Sequence, residues 1–112
     1  MRMIAVAAAA LALPLAALAG PLDAAKPSNT DCSALAFTFG QVMESDDAEL
    51  SEQLYQASFL FMMQAVEAGE HADDDTATNA VGQRAAVLTQ AMVDDGQGIE
   101  KGMAMLERCM SN

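Results

Sequence analysis

The chain has 112 residues, and its sixteen acidic and five basic side chains give a net charge of −11. A surface of this sign repels nucleic acid and anionic lipid, so we expect neither as a partner. This length provides one small domain, near the size at which an apolar core alone gives marginal stability.

The first nineteen residues have the pattern of a secretory signal peptide. A basic start at Arg2 precedes an apolar stretch over residues 3–13, and Ala17–Ala19 supplies small residues for cleavage before Gly20. The stretch is short and rich in alanine for a membrane anchor, which needs about 20 apolar residues. We therefore predict a bacterial periplasmic or secreted protein that has no membrane attachment after cleavage. Four of the five basic residues and all sixteen acidic residues follow the cleavage site, so the cleaved protein would have a net charge of −12.

Residues 20–30 include two prolines and lack a regular apolar pattern, which predicts a flexible N-terminal tail before a helical domain over residues 31–112. The first helix is expected to begin at an Asp31 N-cap and to end at Met43. The second begins at Asp46, which forms a capping-box spacing with Glu49, and Gly69 ends it.

The acidic run 73–75 predicts the start of a third helix, which ends near Val93. A turn over residues 94–96 leads into a fourth helix, which ends near Met110. No segment alternates with a period of two, so we expect no strand. The pattern predicts an all-α domain, either a small four-helix bundle or an orthogonal helical array.

Apolar residues form a stripe on each helix when successive positions are placed 100° apart. On the fourth helix the expected stripe contains Ile99, Gly102, Met103, Leu106, Cys109 and Met110. Methionines elsewhere, at positions 43, 62 and 92, also fall on stripes. This placement favours methionine as core filler over a methionine-ligated copper site.

The two cysteines, Cys32 and Cys109, lie on the apolar stripes of the first and last helices. Two lone cysteines in an exported protein usually pair. The spacing does not resemble a redox motif such as C-x-x-C. We therefore predict one structural disulfide that closes a 77-residue loop and stabilises the fold by about 4 kcal/mol.

Residues for catalysis are scarce, because His71 is the only histidine and both cysteines are assigned to a disulfide. We predict no enzyme, no cofactor and no dedicated metal site. We expect His71 to be a solvated side chain in a loop. The alternative is a weak divalent-ion site formed by His71 with Asp73 and Asp75.

Some apolar residues fall outside the stripes. Leu60 and Met63 lie on the polar side of the second helix, Phe59 lies at its edge, and Phe37 lies off the first helix's stripe. Exposed apolar clusters with a polar rim are typical of partner surfaces. These four residues are therefore candidate interface residues, and burial by an unexpected helix crossing is the alternative.

Arg84 interrupts the apolar stripe of the third helix, where small alanines leave space for a guanidinium. An internal ion pair with one of the many carboxylates is the expected role. The alternative is an arginine that binds the anionic group of a ligand or partner.

Three functions fit these features. The first is a small binding protein that acts through a surface, as a monomer or a homodimer. The second follows from the overall plan, since an export signal, a small acidic helical domain and one disulfide are similar to the plan of periplasmic acid-stress chaperones. That resemblance implies a holdase activated when acid neutralises the carboxylates. The third is a carrier of a metal or small ligand.

Overall fold

The computed structural model describes residues 20–111, and in this range the chain forms four helices and no strand. The predicted signal peptide, residues 1–19, lies outside the described residues. The helices are α1 (Asn29–Met43), α2 (Ala48–Glu67), α3 (Asp74–Asp94) and α4 (Gly98–Met110). The all-α prediction is confirmed.

Two helices begin at caps that differ from the predicted ones. The Ser28 hydroxyl accepts the Asp31 N–H at 3.0 Å, so α1 begins before Asp31, which lies in its first turn. Asp47 rather than Asp46 caps α2, because its carboxylate accepts the Leu50 N–H at 3.0 Å. In both cases several adjacent residues are good caps, and the backbone conformation selects one of them.

The turn between α2 and α3 has the predicted signals. Gly69 has a φ of 83°, and its N–H donates to the Val66 carbonyl at 3.1 Å. The Glu70 N–H donates to the Ala65 carbonyl at 2.9 Å, which completes a Schellman-type ending. The predicted acidic start of α3 is confirmed by Asp73, the N-cap of that helix.

Helix α1 is the centre of the domain, because it packs against each of the other three helices. Accordingly, every residue from Cys32 to Gly40 is buried except Phe37. Within the described part of the chain, α2 and α4 both pack on α1 but have no packing contact with each other. A gap therefore remains between them on one side of α1.

Small residues let α1 and α2 approach closely. The hydroxyls of Ser33 and Ser58 each donate to the other residue's carbonyl, at 2.7 and 2.8 Å. One turn before the end of α1, the Ser51 hydroxyl donates to the Gly40 carbonyl at 2.6 Å. These bonds satisfy polar groups that burial would otherwise leave unpaired. The Tyr55 ring lies against Gly40, where a Cβ would come within 2.8 Å of it.

The predicted disulfide is confirmed. Cys32 and Cys109 are bonded, their Cα atoms lie 5.7 Å apart, and both residues are buried in the core. The bond joins the start of α1 to the end of α4, so these helices run antiparallel. Gly102 lies near Phe39 further along the same pair, as the antiparallel direction requires.

The buried face of α4 differs from the predicted stripe. Gly98, Gly102, Met105 and Cys109 are buried, whereas Ile99, Met103 and Met110 are about half exposed. The helix is turned by roughly one residue step of 100° relative to the prediction. The glycines cause this rotation, because their missing side chains let α4 lie directly against Met92 of α3. The expectation that Met103 and Met110 fill the core is therefore wrong, and Met105 fills it instead.

Part of the segment expected to be a tail, at Leu22 and Ala24, contacts the helical domain. Leu22 is buried in the core cluster. The Arg108 side chain donates to the Ala24 carbonyl at 2.9 Å and to the Leu22 carbonyl at 3.3 Å. A single leucine among prolines gives no periodic signal, so the sequence pattern could not reveal this contact.

None of the helices in residues 20–111 is both long enough and apolar enough to cross a bilayer.

Candidate functional site

All four predicted interface residues are exposed, and the structure divides them between two surfaces. Phe37 and Phe59 face one groove between α1, α2 and α3. Leu60 and Met63 lie on the outer side of α2, where they are 56% and 41% exposed. We call these last two residues the outer α2 patch. Leu60 also lines a separate surface depression together with Tyr55 and Phe59.

The groove between α1, α2 and α3 has a volume of about 530 Å³. We call it the aromatic groove, because the rings of Phe37, Tyr55 and Phe59 line it. The Phe37 and Tyr55 rings are tilted by 46° with centroids 5.6 Å apart. Gly82 of α3 leaves open space at the opposite wall, since a Cβ there would meet nothing within 4 Å. The remaining lining residues are Ser33, Glu44, Ser58, Met62, Thr78 and Val81.

The hydroxyl groups of the aromatic groove are already used as donors. Ser33 and Ser58 donate to each other's carbonyls, and Thr78 donates to the Asp74 carbonyl at 2.8 Å. The Tyr55 hydroxyl donates to the Glu44 carboxylate. This hydrogen bond, followed by burial and the negative charge of Glu44, raises the pKa of Tyr55. Glu44 is the one acidic residue of the lining, and it accepts this hydrogen bond.

A second groove occupies the gap between α2 and α4, where both helices pack on α1 but not on each other. We call it the α4 groove, and its volume is about 600 Å³. Nine apolar side chains line it together with Glu107 and Ser111; they are Phe39, Val42, Met43, Leu50, Leu54, Ile99, Met103, Leu106 and Met110. An apolar surface of this extent, open to water, is typical of a binding site.

The rim of the α4 groove is acidic. Glu107 lines the groove itself. Asp46 lies at one end, since its N–H donates to the carbonyl of the groove residue Met43 at 3.2 Å. Glu49 and Glu100 are exposed and are the sequence neighbours of the groove residues Leu50 and Ile99. Part of this charge stabilises the starts of α2 and α4, where acidic groups offset the helix dipole.

The sequence pattern missed the α4 groove. The helical wheel placed Ile99, Met103 and Met110 in the core, so no exposed apolar face was expected on α4. The signal that could have revealed it is the spacing of Gly98 and Gly102, since two small residues four positions apart permit close helix packing on their own face.

Arg84 lies between α3 and the first turn of α1. Its Nε donates to the Asp31 Oδ1 at 2.5 Å, and the side chains of the pair are 34% and 13% exposed. The pair joins two helices through the Nε–H group of the guanidinium. It lies apart from the lining of both grooves.

Two of the three residues of the alternative metal site, His71 and Asp73, have other partners. His71 Nε2 lies 2.8 Å from the Thr30 hydroxyl, and Asp73 accepts the Thr76 N–H at the start of α3. In the described range, no group of three or more His, Cys, Asp or Glu side chains is arranged to hold a metal ion.

Glu70 forms an acidic clamp on α1. Its carboxylate accepts the backbone N–H groups of Asn29 and Thr30, both at 3.2 Å. It also accepts the Asn29 side-chain amide at 3.0 Å and the Thr30 hydroxyl at 2.8 Å. Burial alone would raise the pKa of Glu70, but these four hydrogen bonds outweigh it and lower the pKa below its usual value.

Comparison of the chain with protein-family models, with curated proteins and with solved structures gave no match.

Proposed function

We propose that this is an exported binding protein that acts without catalysis and holds an amphipathic helix of a protein partner in the α4 groove. The observation that carries the proposal is the set of half-exposed apolar side chains around that groove. The buried disulfide supports export, because such bonds persist in oxidising compartments.

An apolar groove between helices suits a helical partner. Helix-in-groove recognition uses apolar side chains at spacings of three and four residues, which enter a hydrophobic trough. In the α4 groove, Ile99 and Met103 provide one wall and Val42 and Leu50 the opposite side. A partner helix would occupy the position that α2 and α4 leave vacant between them.

The charge of the domain selects a basic partner. The acidic rim and the net charge of −12 after residue 19 attract lysine and arginine residues that flank an apolar face. The same charge opposes a homodimer, because two copies would bring acidic rims together. Self-association through the α4 groove is therefore the less favoured alternative.

We expect a helical peptide of about 18 residues, with leucine on one face and lysine on the other, to bind the protein saturably. The variant Ile99→Gln/Met103→Gln should bind it about tenfold more weakly, because polar side chains replace apolar contact without changing the net charge. Fluorescence anisotropy of the labelled peptide measures both affinities. Circular dichroism should remain unchanged, since the two side chains are 55% and 53% exposed.

The matched control is Leu60→Gln/Met63→Gln, which alters the outer α2 patch by the same chemistry. It should leave peptide affinity unchanged. A loss confined to this control would move the binding surface to the outer α2 patch and contradict our choice of groove. If a scrambled peptide of equal charge binds equally well, attraction between net charges explains the binding and the groove is not required. A dimer that only Ile99→Gln/Met103→Gln dissociates would identify a second copy as the occupant.

The acidic clamp favours a second candidate function, that of a holdase activated by acid. Glu70, Asp73 and Asp95 each have a lowered pKa. Asp73 owes this mainly to the Thr76 N–H, and Asp95 mainly to the Lys101 ammonium. Stability from such groups is present above the unfolded-state pKa and is lost as pH falls through the lower folded-state value. Acid would therefore release α1 from Glu70 and expose apolar surface to unfolded clients.

Glu70→Gln should lower the free energy of unfolding at pH 7, because the amide lacks the negative charge that accepts the four hydrogen bonds. As the pH is lowered through the folded-state pKa of Glu70, the wild-type carboxyl also loses its charge, so the difference in unfolding urea concentration between the two proteins should shrink from pH 7 to about pH 2.5. Glu67→Gln, at an exposed position on the end of α2, is the control and should match wild type at both pH values.

A difference between wild type and Glu70→Gln that does not shrink between pH 7 and about pH 2.5 would show that charge is not the cause. For the holdase itself, the wild-type protein at pH 2.5 should bind a hydrophobic dye and keep a client enzyme soluble. Absence of both effects would eliminate this second function.

A further inference from the structure

We propose that the aromatic groove is a binding site for an organic ammonium ion. The cationic head would lie near Glu44 and the three aromatic rings, and an apolar tail would lie along Met62 and Val81. This inference concerns a different groove from the proposed partner site and does not depend on it. Three of the five aromatic residues in the chain line this one groove, together with one carboxylate.

The donors of the groove exclude anionic and carbonyl ligands. The hydroxyls of Ser33, Ser58 and Thr78 donate to backbone carbonyls, and that of Tyr55 donates to Glu44. The lining therefore has no side-chain hydroxyl hydrogen free for a ligand oxygen. An anion placed here would lose its hydration and gain no donor in return, which is costly.

A cation gains two attractions in the same place. Ammonium groups are drawn to the negative faces of aromatic rings, and Phe37, Tyr55 and Phe59 all line the groove. The Glu44 carboxylate accepts one hydrogen bond from Tyr55 and retains further lone pairs that can face a positive charge. Alkylated ammonium groups suit this lining best, because they need few hydrogen-bond acceptors.

The remainder of the groove fits an apolar tail. Met62 and Val81 form the wall beyond the rings, and Gly82 leaves that side open. The volume of about 530 Å³ lies in the range of small-molecule pockets. A head group with a short alkyl chain would thus cover the exposed ring of Phe59.

The test uses three probes that share one six-carbon chain: hexyltrimethylammonium, hexyl sulfate and 1-hexanol. The full protein carries ¹³C in its methionine methyl groups, and Met62 reports on the aromatic groove while Met103 and Met110 report on the α4 groove. We expect the ammonium probe to shift the Met62 signal saturably and to bind about tenfold more tightly than either other probe.

Two variants test the residues and two serve as controls. Glu44→Gln and Phe59→Ala should each weaken binding of hexyltrimethylammonium about fivefold. Glu67→Gln removes an equal charge away from the groove, and Val93→Ala removes exposed apolar area outside it, so both should bind as wild type does. Circular dichroism should be unchanged in all four variants.

Three results would overturn the proposal. Equal affinity for hexanol and the ammonium probe would show an apolar site without charge selectivity. An equal loss in Glu44→Gln and Glu67→Gln would assign the effect to net charge. Shifts confined to Met103 and Met110 would place the probe in the α4 groove. None of these results affects the peptide measurement, so the two proposals fail separately.

Discussion

Gly98→Ala should destabilise the domain by about 3 kcal/mol, although it adds only one methyl group. That methyl would overlap the Met92 carbonyl oxygen and lie 2.5 Å from the Met92 Cα. Both atoms belong to the backbone of α3, so no side-chain rotation relieves the overlap. Helix α4 would have to move away from α3, which would also open the core around Met105. Urea unfolding at pH 7 measures the loss.

Gly96→Ala is the matched control, because it lies two residues earlier and a Cβ there meets nothing within 4 Å. Its free energy of unfolding should remain within about 0.5 kcal/mol of wild type. Gly102→Ala should fall between the two, since the added methyl overlaps the flexible end of the Met92 side chain. Equal stability of Gly98→Ala and Gly96→Ala would show that α4 is not packed on Met92 in this way.

Loss of the disulfide should have the largest effect on stability. The bond between Cys32 and Cys109 spans 77 residues of sequence, and removing it frees a loop that contributes about 4 kcal/mol. For a domain of this size that loss lowers the melting temperature by about 20 °C. The variant Cys32→Ala/Cys109→Ala, compared with wild type in a thermal melt, measures the effect.

Reductant supplies the control for this double variant. Wild-type protein melted with reductant should approach the melting temperature of Cys32→Ala/Cys109→Ala, while the variant itself should not respond to reductant. Because both sulfurs are buried, the wild type should be reduced slowly until it unfolds. A reduced wild type that melts at its oxidised temperature would contradict a stabilising role.

The four helices and the disulfide could be predicted because local signals determine them. Gly69 and the Asp73 cap mark the turn between α2 and α3 by backbone conformation and hydrogen bonding that act within a few residues. The pairing of Cys32 with Cys109 needed only their number and the expectation of export. None of these inferences required knowledge of how the helices cross.

The two grooves could not be predicted, because they depend on helix crossing. A helical wheel shows that Ile99 and Met105 are apolar but not which of them faces α3. The glycine contacts with Met92 decide that, and they bury Met105 and leave Ile99 exposed. The aromatic groove likewise requires Phe37 of α1 to meet Phe59 of α2, residues that lie 22 positions apart in the sequence. The exposure of Phe37 and Phe59 agrees with their assignment outside the stripes, and their use as an interface stays a prediction.

The hydrogen bonds from Arg108 to the carbonyls of Leu22 and Ala24 bring the beginning and the end of the domain side by side. Anything fused to either end would therefore emerge from the same side of the molecule. The helical domain could also be circularly permuted, with a short linker joining the end of α4 to Leu22 and new ends opened at Gly69, where the turn is exposed.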